Sequence, residues 1–149
     1  MNKSYAFLAL LSITTFLGSC SKDEPTPTPM ATNNVTNFTA TINGAQQVPA
    51  NGSAATGTFA GTYDSSNKQL TYTVTFQGLT PTSAHIHTIT PGSNSGPVAI
   101  PFASLTSPIT GTFTLSADQA TQLLNNGMYV NIHSNTYANG EIRGDIKKK

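Results

Sequence analysis

The sequence predicts an all-β fold, an antiparallel Greek-key β-sandwich carrying one short helix. Three observations lead there. Several segments alternate apolar and polar residues with a period of two, as in "LTYTVTF" at 70–76. Turn-forming clusters such as Asp64-Ser65-Ser66-Asn67 and Asn126-Gly127 punctuate those segments at short intervals. Charged residues make up 9% of the chain where about 25% is usual, and Thr stands where a helical protein would carry Glu and Lys, which favours strands.

The elements follow in order. Phe38, Ala40 and Ile42 alternate with Thr39 and Thr41 before the turn Asn43-Gly44. "GTFAGTY" puts Phe59, Gly61 and Tyr63 on one face, and Leu70, Tyr72, Val74 and Phe76 do the same after the 64–67 turn, so the two form a hairpin. Residues 79–88 and 98–102 each suit a strand, separated by the loop "TITPGSNSG". "ITGTFTL" at 109–115 alternates again. Ser116 with Gln119 three residues on has capping-box spacing, Leu123 and Leu124 supply an apolar side, and Asn126-Gly127 ends the helix. "MYVNIH" and "GEIRGDI" close the domain around "SNTYANG". The folded domain is expected over 37–147, with a solvated basic tail at 148–149.

Ahead of it, "MNKSYAFLALLSITTFLGSC" has an early Lys3, an apolar run from Tyr5 to Leu17 and then small residues. That is the layout of a secretory signal, too short for a spanning helix. Leu17-Gly18-Ser19-Cys20 resembles the lipobox of bacterial lipoproteins, so 1–19 is read as a lipoprotein signal peptide and Cys20 as the lipidated residue. Acyl chains there anchor the domain to a membrane. Ser21-Lys22-Asp23-Glu24 resembles the signal that sends some lipoproteins to the outer face of the outer membrane, and the Pro-Thr run from Pro25 to Pro29 makes 20–36 a semi-rigid linker. The expected location is the bacterial cell envelope, on the outer membrane, with surface exposure an open question. Cys20 is the single cysteine, so the domain holds together without disulfides.

Composition limits the partners. The net charge is +1, and no basic patch interleaves with aromatics, which argues against nucleic acid. The chemistry gathers instead in "AHIH" and "NIHSN", which hold all three histidines, His85, His87 and His133. In a strand, His85 and His87 share a face about 7 Å apart, opposite Ala84 and Ile86. His133 likewise lies opposite Val130 and Ile132. If the two strands are neighbours, the three rings converge. Imidazole-only ligation suits copper or zinc, and the lack of an adjacent Cys, Asp or Glu disfavours a tetrahedral structural zinc site. Copper is the favoured cofactor. The competing reading of the same residues is three hydrogen-bonded rim histidines.

The stretch from Phe38 to Ile146 resembles the CHRD (chordin-type) domain. The matching pieces are "NGAQQVP", "GTYDSSNKQLTYTVTFQGLTPTSAHIH", "GPVAIPF", "GTFTLSADQATQLLNNGMYVNIHS" and "NGEIRGDI". "GLTPTSAHIH" and "YVNIHS" are also similar to the copper-binding strands of copper–zinc superoxide dismutases. That similarity implies copper ligation by His85, His87 and His133 in an immunoglobulin-like sandwich, and an anion-guiding or structural role for Arg143. The metal-bridging histidine, the zinc ligands and the cysteine pair of those enzymes have no counterpart here, which argues against dismutase activity. Glu141 and Arg143, two apart in "GEIRG", share a face and are expected to be a structural pair or a partner for a neighbouring strand rather than to supply a catalytic acid.

Two further function classes stand beside metal binding. A metal-free adhesion module would use the loops "TITPGSNSG" and "SNTYANG" to contact a glycan or protein. A hydrolase is disfavoured, because Asp64, Asp118, Glu141 and Asp145 fall in turn, helix-start or terminal contexts with no Ser-His-Asp constellation.

Overall fold

The computed structural model describes residues 34–149. The leader expected at 1–19, Cys20 and nearly all of the linker lie outside the described residues. Eight strands and one α-helix follow in the expected order: β1 (Val35–Asn43), β2 (Thr56–Asp64), β3 (Gln69–Gln77), β4 (Pro81–Thr88), β5 (Val98–Pro101), β6 (Ile109–Thr114), α1 (Ala117–Leu124), β7 (Met128–Ser134) and β8 (Ile142–Lys148). A single turn of 3-10 helix, Gly44–Gln46, follows β1. Every strand pairing is antiparallel.

The strands form one sheet in the order β5-β4-β7-β8-β1-β2-β3-β6. Chain order and sheet order part company after β3. The chain crosses from β3 to β4, back from β5 to β6, and over again through α1 to β7. These crossings make the Greek key. The sheet folds on itself between β8 and β1, where pairing is sparse: Asn43 faces Arg143, then Thr39 faces Lys147 and Phe38 faces Lys148. Both halves turn their apolar residues inward. Phe38, Ile42, Phe59, Leu70 and Val74 from one half meet Ile86, Ile100, Val130, Ile132, Ile142 and Ile146 from the other, all essentially unexposed.

The helix forms as its sequence dictates. Ser116 accepts from the Gln119 backbone while Gln119 reaches back to the Ser116 backbone, completing the capping box. Ala120 and Leu123 bury its inner side. One expectation changes. Lys147 and Lys148 extend β8, and Lys149 donates its backbone N–H to Asn37 O at 2.9 Å. The basic end is therefore strand with solvated side chains, because β1 begins at Val35 and offers it a partner.

The outer faces of the strands differ in exposure. Strands β1, β2, β3 and β6 expose rows of threonines, but on β7 the outward-facing Tyr129 and Asn131 are buried like the core residues that alternate with them, and His133 is half-buried. Loops from elsewhere lie over it. Gln47 donates to Asn139 O at 3.1 Å, Asn51 to Glu141 O at 2.9 Å, and Ser53 Oγ to Glu141 Oε1 at 2.6 Å. Arg143 donates to Asn94 O from beneath. Gly140 makes the cover fit. Its φ of +120° and its closeness to the Asn131 and Gln47 amides, each 2.5 Å from where a Cβ would sit, leave room for no side chain.

Candidate metal centre

Strands β4 and β7 are hydrogen-bonded neighbours. Their register sets Ser83 opposite His133, His85 opposite Asn131 and His87 opposite Tyr129. The period of two does the rest: Ala84 and Ile86 of β4 and Val130 and Ile132 of β7 enter the core, so His85, His87 and His133 share the covered outer face. The His85 ring centroid lies 5.6 Å from that of His87 and 5.3 Å from that of His133, both nearly perpendicular to it. One ligand nitrogen from each histidine lies within 4.8 Å of the others. Bonds of about 2 Å to one ion would bring three nitrogens to about 3.5 Å, a contraction within the reach of small ring rotations.

The hydrogen bonding of the rings is selective. His87 Nδ1 donates to Gly96 O at 3.0 Å and His133 Nδ1 to Ala138 O at 2.9 Å. Those bonds fix the tautomer and turn each Nε2 lone pair away from the loop carbonyl. His87 Nε2, His133 Nε2 and His85 Nδ1 are each buried and have no hydrogen-bond partner. Buried polar atoms in folded proteins are nearly always satisfied. Three unsatisfied imidazole nitrogens in one cluster could serve as ligands to a metal ion.

The electrostatics favour the neutral form of two of the rings, His85 and His87. Burial lowers the proton affinity of His85 below the usual 6.5, and the charges of His133 and His87 lower it further. Burial also lowers that of His87, against the Gly96 bond, with His133 and Arg143 adding to the lowering. Neutral imidazole is the metal-binding form.

Behind the histidines stands a second layer, in which Arg143 was expected from the sequence and Tyr129 was not. Tyr129 stacks on His87, with centroids 4.8 Å apart and planes 6° from parallel. The Arg143 guanidinium lies over the same tyrosine, 3.7 Å from its centroid. Arg143 is 5% exposed, so it is covered by loop and sheet. Its Nε and Nη2 donate to Asp145 Oδ1 at 3.1 and 2.9 Å. Of the two expectations for Glu141, the direct pair with Arg143 is not formed. Glu141 precedes β8 and accepts from Ser53, while Asp145, which seemed merely terminal, is the strand residue that holds the arginine. Two buried amide oxygens, Gln47 Oε1 and Asn131 Oδ1, also lack partners. The signal for Tyr129 and Asn131 was present, since they share the alternation of His133. The Arg143–Asp145 pair had the same i, i+2 spacing as the pair expected.

The arrangement offers three neutral nitrogen donors with no thiolate or carboxylate in the group. Such a set holds a borderline metal ion. No curated protein matches the sequence. A family model for the CHRD domain matches residues 38–146, a span that begins in β1 and ends in β8 and so includes all three histidines and the Arg143–Asp145 pair. The chain therefore belongs to the CHRD domain family.

Proposed function

We propose that this is a lipid-anchored cell-envelope protein whose CHRD domain binds one copper ion through His85 Nδ1, His87 Nε2 and His133 Nε2, for capture or delivery of the metal. The observation that carries the reading is the set of three buried ring nitrogens without hydrogen-bond partners, on histidines that each bring a ligand nitrogen within 4.8 Å of the others, while Nδ1 of His87 and of His133 is held by a loop carbonyl. Copper is preferred because imidazole donors suit it, and a closed tetrahedral zinc site would want a fourth protein ligand. The similarity of "AHIH" and "NIHS" to copper-binding strands points the same way. Envelope location and anchoring are supported by the apolar leader ending in Leu17-Gly18-Ser19-Cys20.

The deciding experiment is titration of the full-length protein with copper, alongside His85→Ala, His87→Ala and His133→Ala. Stoichiometric binding weakened by each substitution, with nitrogen hyperfine structure in the electron paramagnetic resonance spectrum of the Cu(II) form, is the expected result. Binding indifferent to all three substitutions overturns the reading. For the anchor, Cys20→Ala should move the protein from the membrane to the soluble fraction, and an unchanged distribution would exclude lipidation at Cys20.

A further inference from the structure

We infer that the three-histidine site selects copper in the Cu(I) state, an inference that rests on the copper reading above. The donor set is the first reason. All three ligands are neutral imidazoles, so bound copper keeps its full charge. The nearby acids are engaged elsewhere: Asp145 with Arg143 and Lys147, and Glu141 with Ser53. The ligand nitrogens are buried, and the cost of moving an ion out of water rises with the square of its charge. A doubly charged ion with neutral donors is therefore penalised far more than a singly charged one.

Coordination number is the second reason. Three converging nitrogens suit Cu(I), whereas Cu(II) favours tetragonal surroundings with further ligands. Among the described residues no further His, Cys, Asp or Glu joins the group.

The third reason is a fixed cation. Strand β7 lies between β4 and β8, so the Tyr129 ring separates the His87 imidazole from the Arg143 guanidinium, in contact with both. A positive charge behind a ligand ring repels Cu(II) more than Cu(I). Asp145 offsets part of that charge, but Lys147, 3.7 Å from Asp145 Oδ2, competes for the same carboxylate.

The test uses the full-length protein and two competitions: Cu(I) against a chromophoric Cu(I) chelator under strict reduction, and Cu(II) against a Cu(II) chelator in air. The expected result is Cu(I) binding at least about a hundredfold tighter than Cu(II). That places the bound couple about 120 mV above the free-ion couple, at 59 mV per tenfold for one electron. Arg143→Gln should narrow the affinity ratio about tenfold by relieving the repulsion of Cu(II), and Arg143→Lys, which keeps the charge, should preserve it. Equal affinities, or tighter Cu(II) binding that still depends on the three histidines, overturn the Cu(I) inference and leave the copper site standing. If neither ion binds in a histidine-dependent way, the copper reading itself falls, and this inference with it. An affinity ratio unchanged in Arg143→Gln removes the fixed-cation argument.

Discussion

Gly144 offers the sharpest test of how the fold supports the site. It sits in β8 between Arg143 and Asp145, at the sparse seam where the sheet folds back on β1. A Cβ on Gly144 would lie 2.5 Å from Thr41 O, 2.8 Å from Ile42 Cγ1 and 3.1 Å from Thr41 C. Two of these three are backbone atoms of a paired strand, which a rotamer change cannot move, and Ile42 is fully buried. Gly144→Ala must therefore push β8 off β1. Overpacking of this kind costs about 1–3 kcal/mol, which for a domain of this size corresponds to a Tm lower by about 4–12 °C. Thermal unfolding followed by circular dichroism measures it, with Gly52→Ala as the control. A Cβ on Gly52 meets nothing within 4 Å, and its backbone is not left-handed, so Gly52→Ala should be neutral or slightly stabilising. If Gly144→Ala melts within about 2 °C of the parent, or no lower than Gly52→Ala, the steric account of the seam is wrong.

Other expectations follow from the site and the helix. Copper at about a hundred times its Kd should stabilise the fold by about 2.7 kcal/mol, a rise in Tm on the order of 10 °C that His133→Ala abolishes in a scanning calorimeter. Stability without metal should fall as pH drops below 6.5, the ordinary histidine value. Burial lowers the folded-state affinities of His85 and His87, so in that window the unfolded chain binds more protons and is favoured. The loss is complete once pH passes below the lowered folded values. Chemical denaturation between pH 5 and 8 checks this, and His85→Gln/His87→Gln together should flatten the dependence. Ser116→Ala removes the capping-box acceptor and should cost about 1 kcal/mol in urea unfolding while leaving copper affinity unchanged.

Much of this molecule was legible in advance because its strands are amphipathic in the simplest way. Phe38-x-Ala40-x-Ile42 and Leu70-x-Tyr72-x-Val74 turn inward as the period of two requires. The convergence of His85, His87 and His133 was legible for the same reason, given one further fact the alternation does not contain: that β4 pairs with β7, forty residues away. What alternation could not reveal is the cover. Whether Asn131 and Tyr129 face water or protein depends on loops that return from 44–55 and 89–97, and their hold is a handful of side-chain-to-carbonyl bonds with no periodic trace. The partner of Arg143 was misassigned because Glu141 and Asp145 flank it symmetrically in sequence. Glu141, just before β8 begins, lies close enough to Ser53 for a 2.6 Å hydrogen bond, and the arginine is left to Asp145.

The sheet's order leaves β5 and β6 as its two edges, and they are guarded unequally. Strand β5 is four residues long, lies between Pro97 and Phe102 and ends at Pro101. Neither proline can donate to an incoming strand, and Gln119 of α1 donates its side-chain amide to Ala99 O at 3.2 Å. A foreign strand finds little there to pair with, which protects the β4 histidines from β-aggregation at their own edge. Strand β6, six residues bearing exposed Thr110, Thr112 and Thr114, is preceded by Pro108 but has no proline within it. Self-association under crowding would thus begin at β6, on the half of the sheet that does not carry the histidines.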